Sequence, residues 1–228
     1  MNVVEKANTL QYNDNLKKFG KINYEHTYKR ILDFLVSIIL LLILIIPGII
    51  SAIAIKLEKS GTVIYKSKRI GKDGKPFDIY KFRTMVDRER CNSNSRITPV
   101  GRILRKTSLD EIPQLLNVIK GDMSLVGPRP WVPDYYRYFT DEQRVRNSVL
   151  PGITGLAQVN GRNSIDVLEK IKYDLQYIDN INVVNDFKIM LKTIRTIFKN
   201  DNVDITEKGI KDEIEILKHN LKNGDANE

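Results

Sequence analysis

Sulfur and imidazole are nearly absent from this chain. One cysteine, Cys91, and two histidines in 228 residues exclude an internal disulfide, a cysteine cluster for zinc and a histidine-based metal site. Any metal here has to be a hard cation held by carboxylates and phosphates. Internal repeats and low-complexity tracts are missing too, and the length suits one domain with a small appendage. Acidic residues fall short of basic ones, 28 Asp and Glu against 37 Lys and Arg, for a formal charge of +9. That surplus implies an anionic partner, and nucleic acid, lipid headgroups and nucleotide diphosphates all qualify.

What the chain has in abundance is an uncharged run from Phe34 to Ile55, FLVSIILLLILIIPGIISAIAI, long enough to cross a bilayer core of about 30 Å. Residues 1–26 ahead of it read as a polar lead-in without a period. A cleavable signal peptide is not expected, because the run starts late and no small-residue cleavage site follows it. Pro47 and Gly48 interrupt the run, and both flanks are basic, with Lys29 and Arg30 before it and Lys56 and Lys59 after it. Equal flanks give no orientation by the positive-inside rule. Two readings fit: a helix-break-helix that enters one leaflet and returns, and a proline-kinked spanning helix. In the first, Pro47 and Gly48 make the bend, and Lys29 and Arg30 stand at the membrane interface.

Residues 62–85 hold two β-rich runs, TVIYKSKRI and PFDIYKFRTM, on either side of Asp73-Gly74, a hairpin signal. Lys81 and Arg83 alternate with Tyr80 and Phe82 and so share one strand face. A solvated edge and a nucleic-acid platform with interleaved aromatics are both open readings of that face. Polar residues 87–97 predict a loop. Thr98 and Pro99 predict the cap and first position of a helix through Val100, Ile103 and Leu104, which carries Arg105 toward the next segment.

The chemistry concentrates in RKTSLDEIPQLLNVIKGDMSLVGPRP, from Arg105 to Pro130. Ile112, Leu115, Leu116 and Ile119 recur at helical spacing. Pro113 belongs in a first turn, which makes Leu109 or Asp110 the expected N-cap and Gly121 the stop. A carboxylate at that cap feels the helix dipole and nearby arginines and is expected to stay ionised, as a nucleophile or a metal ligand. The alternative is an S-x-x-E capping box between Ser108 and Glu111 with no chemistry. Arg129 stands between Pro128 and Pro130, which aim its guanidinium at low entropic cost, as a phosphate clamp or as an ordinary turn residue.

Downstream, Tyr135, Tyr136, Tyr138 and Phe139 read as packing. PGITGLAQVNGR follows, whose Gly152, Gly155 and Gly161 permit close backbone approach before Arg162. Phe187, Met190, Leu191, Ile194, Ile197 and Phe198 share a helical face amid lysines and arginines, suited to a membrane interface or to core packing. Thr206–Lys222 reads as an amphipathic terminal helix for docking or self-association.

The ordered set S-L-D-E, K-G-D-M-S and V-G-P-R-P resembles the bacterial sugar transferases, the small monotopic phosphoglycosyl transferases, over roughly residues 27–200. That resemblance implies an α+β fold: a small membrane-associated catalytic domain with an N-terminal re-entrant membrane helix, a β-hairpin and amphipathic interfacial helices. The implied layout is a lead-in at 1–26, a re-entrant segment at 27–59, a catalytic domain at 60–200 and a C-terminal helix or tail at 201–228. The implied reaction moves a sugar 1-phosphate from a UDP-sugar to polyprenol (undecaprenyl) phosphate, releases UMP, and begins capsule, exopolysaccharide or glycoprotein assembly. It implies Asp110 as nucleophile and Mg²⁺ ligand, Glu111 as its catalytic partner in proton handling or metal support, and Lys81, Arg83, Arg105, Arg129 and Arg162 as phosphate contacts. It also implies one leaflet of the bacterial inner membrane, a cytoplasmic-facing active site, no nucleic acid, and self-association or pathway glycosyltransferases as further partners. Two positions depart from the family pattern: Ile46 stands where a serine usually precedes the proline, and Leu156 where an aromatic is usual. A basic, membrane-tethered binding protein for anionic lipid or nucleic acid is the competing reading, and no residue singles out the sugar.

Overall fold

The computed structural model describes residues 22–58, 61–86, 96–161, 165–198 and 210–225. Most of the expected lead-in, most of the polar segment at 87–97, the start of the terminal helix before Ile210, and Arg162 lie outside them. Helix α1 (Ile22–Ile43) begins inside the stretch expected to be lead-in and is followed by α2 (Ile45–Leu57). The two meet at Leu44 with a bend of 61°. Pro47 is the third residue of α2 and has no N–H for the Ile43 carbonyl, so an unbroken ladder is impossible there. Regular bonding resumes one residue later, where Gly48 N–H donates to Leu44 O at 2.9 Å. The break therefore sits N-terminal to the expected Pro47-Gly48 pair, although Pro47 supplies its cause. Position 46 has no hydroxyl, but Ser51 Oγ donates to Pro47 O at 2.8 Å, serving this turn from the other side.

Among the described residues no single helix is long and apolar enough to cross a membrane, whereas this bent pair is when taken together. Leu42, Ile43, Ile46 and Ile50 are each more than 60% exposed. The opposite face is fastened to the domain. Lys29 Nζ lies 2.5 Å from the buried Asp186 carboxylate, and Arg30 donates to Ile119 O at 3.0 Å and Met123 O at 3.3 Å. Both cations, expected at the membrane interface, turn inward instead. A buried carboxylate and carbonyls left open at a helix end attract them more strongly than solvent does.

Strands β1 (Ile64–Ile70) and β2 (Pro76–Phe82) form the expected antiparallel hairpin, from Ile64 opposite Phe82 to Ile70 opposite Pro76. Asp73 (φ 55°) and Gly74 (φ 73°) turn the chain, as an Asp-Gly pair should. At the end of the segment read as a loop, Ile97 bridges to Met85. Helix α3 (Pro99–Thr107) is capped by Thr98, whose Oγ1 accepts from Gly101 N–H at 2.9 Å. Helix α4 (Gln114–Lys120) ends at Gly121 with φ 98°, and β3 (Ser124–Val126) follows.

Two short helices, α5 (Pro133–Tyr136) and α6 (Asp141–Arg144), lead to β4 (Gly152–Thr154), which pairs in parallel with β3. The glycines here serve proximity: a Cβ on Gly152 would stand 2.1 Å from Gly127 N, so any side chain would push the two strands apart. The chain closes with α7 (Leu156–Asn160), α8 (Val167–Asp179), α9 (Val183–Phe198) and α10 (Ile210–Asp225).

The main core joins Ile79 of β2, Leu115 and Val118 of α4, Met123, Val126 of β3, Tyr177 and Ile178 of α8 and Ile189 of α9. Ile55, Phe82, Leu104 and Ile112 tie the bent pair to α3 and the turn after it. Tyr135 and Phe139 pack with Val167, Ile171 and Leu217, so these aromatics are core, as expected. Leu217 is fully buried, which makes α10 a docked helix. On α9 the expected apolar face divides: Met190 packs against the core, while Phe187, Leu191 and Ile194 remain exposed.

Candidate active site

Asp110 and Glu111 lie on a single 3₁₀ turn, Leu109–Glu111, between α3 and α4. The helix expected to start at these acids starts later, at Gln114, and proline is the reason. Pro113 cannot donate to Leu109 O, so that carbonyl instead accepts from Ile112 N–H at 3.2 Å, in the tighter i to i+3 pattern. Ser108 takes a left-handed conformation, φ 57°, to swing the chain out of α3, and its side chain caps nothing. No capping box forms. Glu111 is turned away from Ser108 and toward two cations.

Those cations come from distant segments. Lys81 Nζ on β2 lies 2.7 Å from Glu111 Oε1, and Arg129 Nη2 lies 3.0 Å from the same oxygen. Burial alone would raise the Glu111 pKa, but Lys81 and Arg129 outweigh it and hold the carboxyl well below its usual range. Asp110 is buried too, yet no side chain or backbone group among the described residues donates a hydrogen bond to it. Burial, and then the Glu111 charge, push its pKa up to about 6 against the pull of Lys81, Arg105 and Arg129. The expectation that the dipole and the arginines would dominate is thus corrected. Asp110 remains ionised at neutral pH, as expected, but it is a destabilised anion. One acid is held by two cations and the other has no donor among the described residues.

Arg105 joins this group through Thr84, whose Oγ1 accepts from Arg105 Nε at 2.9 Å. Arg83 does not. The strand ends at Phe82, and Arg83 reaches back to Thr62, donating to its carbonyl at 2.9 Å and its hydroxyl at 2.7 Å. It also lies over the Tyr65 ring. A shared strand face thus brings only Lys81 to the acids, because Arg83 finds acceptors beside its own strand. Arg162 lies outside the described residues.

Two contributors carry no sequence expectation. Thr84 orients Arg105, and its signal is its place at the end of the strand bearing Lys81. Arg146 donates to the Arg129 carbonyl at 2.7 Å, and its signal is the unusual mixture of aromatics and charge after Trp131. The turn carrying Arg129 is also fixed by backbone bonds, Gly127 N–H to Thr154 O and Gly152 N–H to Pro128 O, each 2.9 Å. Arg129 is therefore no free surface residue.

A family model described as bacterial sugar transferase matches residues 24–200, and that range holds every residue of this cluster. The "Uncharacterized sugar transferase EpsL" of Bacillus subtilis is 42% identical over 183 residues, covering 78% of this chain and 91% of that protein. A UDP-glucose:undecaprenyl-phosphate glucose-1-phosphate transferase of Caulobacter vibrioides is 41% identical over 189 residues, 76% of this chain and 71% of that protein. The undecaprenyl-phosphate galactose phosphotransferase of Salmonella typhimurium is 38% identical over 195 residues, 76% of this chain and 41% of that protein. With the acids, their cations and the bend between the first two helices all inside the matched range, the chain belongs to the bacterial sugar transferase family.

Proposed function

We propose that this protein transfers a sugar 1-phosphate from a UDP-sugar to undecaprenyl phosphate and releases UMP, through a covalent intermediate on Asp110. The observation that carries the proposal is the contrast between neighbouring acids: Glu111 is held by Lys81 and Arg129, while Asp110 is buried without a donor among the described residues. An Asp110 oxygen attacks the β-phosphorus of the UDP-sugar, and the bond to the oxygen bridging the two phosphorus atoms breaks, releasing UMP. An oxygen of the lipid phosphate then attacks the same phosphorus, the bond to Asp110 breaks, and the carboxylate is restored. Each attacking group is an anion and each leaving group departs as one, so neither step needs a proton. Glu111 accordingly serves as the anchor that holds Lys81 and Arg129 beside the phosphoryl group.

Relatives of similar identity are named for glucose and for galactose. The chemistry common to them is the diphosphate and the lipid phosphate, which is what Arg105, Lys81 and Arg129 suit. Magnesium fits the site as well. No three carboxylate, histidine or cysteine side chains meet among the described residues, but magnesium sites completed by substrate phosphates and water need only one or two carboxylates. Asp110, whose oxygens meet no donor among the described residues, would hold the ion. Bound there, magnesium supplies neutralising charge to the phosphoryl oxygens. The direct test is turnover: the full chain with a panel of UDP-sugars and undecaprenyl phosphate should release UMP and form a lipid-linked sugar diphosphate. Salt-sensitive nucleic-acid binding without turnover would instead favour the non-catalytic reading.

The bent pair α1–α2 enters one leaflet of the bacterial inner membrane and returns to the cytoplasmic face, where the soluble nucleotide and the lipid phosphate meet. Support comes from its exposed apolar side chains and from Lys29 and Arg30, which lash its first helix to the catalytic domain. Pro47→Ala is expected to restore the bond to Ile43 O, straighten the pair toward a spanning helix and lower turnover. Single cysteines placed before residue 29 and after residue 59, in a Cys91→Ser background, report the topology. Same-side labelling is expected in the parent and opposite-side labelling in the variant; unchanged labelling with full turnover counts against the bend.

A further inference from the structure

Arg146 is 1% exposed, among the most deeply buried side chains of the described residues. It follows α6, on a turn that places it between the aromatic cluster and α8. Its Nε and Nη2 both donate to Asp174 Oδ2, at 3.0 and 2.7 Å, and Asp174 is itself 2% exposed. Nη2 also donates to the carbonyl of Arg129, at 2.7 Å. The guanidinium carbon sits 4.3 Å from the Trp131 ring centre and 5.7 Å from that of Phe139. A buried ion pair is costly to desolvate, and apolar side chains of similar volume fill such space with equal or better stability. What the pair supplies here is direction.

The loop Val126–Trp131 is held one carbonyl at a time. Val126 O accepts from Tyr177 O–H at 3.0 Å, Pro128 O from Gly152 N–H at 2.9 Å, and Trp131 O from Ile70 N–H at 2.9 Å. Pro128 fixes its own φ, and Pro130 confines the residue before it to extended backbone without choosing one angle within that region. The remaining freedom of Arg129 is the orientation of its own peptide plane, and that is the group Arg146 holds. A line of contacts then runs from Asp174 through Arg146 to the Arg129 backbone, and from the Arg129 guanidinium to Glu111. We infer that Arg146, oriented by Asp174, is a positioning residue for Arg129, acting on the reaction through the aim of that guanidinium. The inference rests on the reading of Arg129 as a phosphate contact.

Lysine keeps the charge that Asp174 needs but not the planar fork that reaches two acceptors at once, which makes Arg146→Lys the informative variant. The experiment is a double-mutant cycle on the full chain, with Arg129→Ala, Arg146→Lys and the double variant, measuring kcat/KM for UDP-sugar and thermal unfolding. Arg129→Ala and Arg146→Lys are each expected to lose about tenfold or more in kcat/KM, and the double variant no more than Arg129→Ala alone, since residues that act through one another are not additive. The unfolding midpoint of Arg146→Lys should stay near the parent's. If that variant does not fold, Asp174→Asn takes its place in the cycle, with a smaller loss and the same non-additivity expected. Full activity in the variant at Arg146 or Asp174, or losses that multiply in the double variant, overturns the positioning role while leaving Arg129 as a phosphate contact. Full activity in Arg129→Ala overturns the phosphate reading, and the inference falls with it.

Discussion

Asp110→Asn is expected to fold normally and to turn over UDP-sugar at least about a thousandfold more slowly than the parent, about 4 kcal/mol of barrier. The two halves of that expectation come from the same geometry. Asp110 receives no hydrogen bond from the described residues, so its replacement by the amide breaks none there. Its ionised form is disfavoured by burial and by Glu111, so a neutral amide should leave the melting temperature unchanged or raise it. An amide does not attack phosphorus and binds magnesium poorly, which removes either chemical role. Loss of rate alone leaves nucleophile and metal ligand both standing, and the covalent step separates them. Parent protein given UDP-sugar without lipid acceptor should release UMP, and the peptide containing Asp110 should gain the mass of a sugar phosphate. Kinetics varied in both substrates should be ping-pong. Sequential kinetics without an adduct would assign the attack to the lipid phosphate and leave Asp110 as a ligand only.

Local grammar carried the fold well wherever one residue decides a backbone angle. Asp73-Gly74 announces its turn, Thr98-Pro99 its helix start and Gly121 its helix end, because each signal acts within a few residues. Pro47 announces a break, but its effect falls on the carbonyl four residues earlier, which is why the bend sits at Leu44. Pro113 misleads in a related way. It is compatible with a first turn, and here it also forbids the regular ladder that would put the acids on the helix.

The long-range part was closed to inspection of the chain. Lys29 and Arg30 have the same composition whether they face headgroups or a buried Asp186 far downstream. Lys81 and Arg83 are equivalent by strand alternation, and what separates them is that Arg83 meets Thr62 beside the strand end while Lys81 meets Glu111. The acids themselves were legible as a pair. Which of them Lys81 and Arg129 would hold was not, because that depends on which carboxylate the folded chain brings within their reach.

That pairing predicts a graded response at Glu111, where three roles give three patterns. As a helix cap, Glu111→Ala would cost a little stability and little rate. As a proton carrier, Glu111→Gln and Glu111→Ala would be equally damaging, because neither side chain exchanges a proton. As the anchor for Lys81 and Arg129, Glu111→Gln keeps an acceptor oxygen of the same reach, although it loses the charge that strengthens both contacts. We therefore expect Glu111→Gln to lose about tenfold to a hundredfold in kcat/KM and Glu111→Ala to lose about tenfold more, each factor of ten being about 1.4 kcal/mol. Glu111→Asp should resemble alanine, because the shorter arm retracts the oxygen that both cations share. In the glutamine and alanine variants Asp110 is relieved of its nearest negative neighbour, while Lys81 and Arg129, held less firmly at position 111, are freer to pair with it. Asp110 then becomes a better-stabilised anion, and as the proposed nucleophile a less reactive one. Single-turnover UMP release without lipid acceptor should therefore fall in the order parent, glutamine, alanine, in parallel with steady-state turnover. Equal losses in Glu111→Gln and Glu111→Ala would transfer Glu111 from anchor to proton carrier and require a protonated group in one of the two phosphoryl transfers.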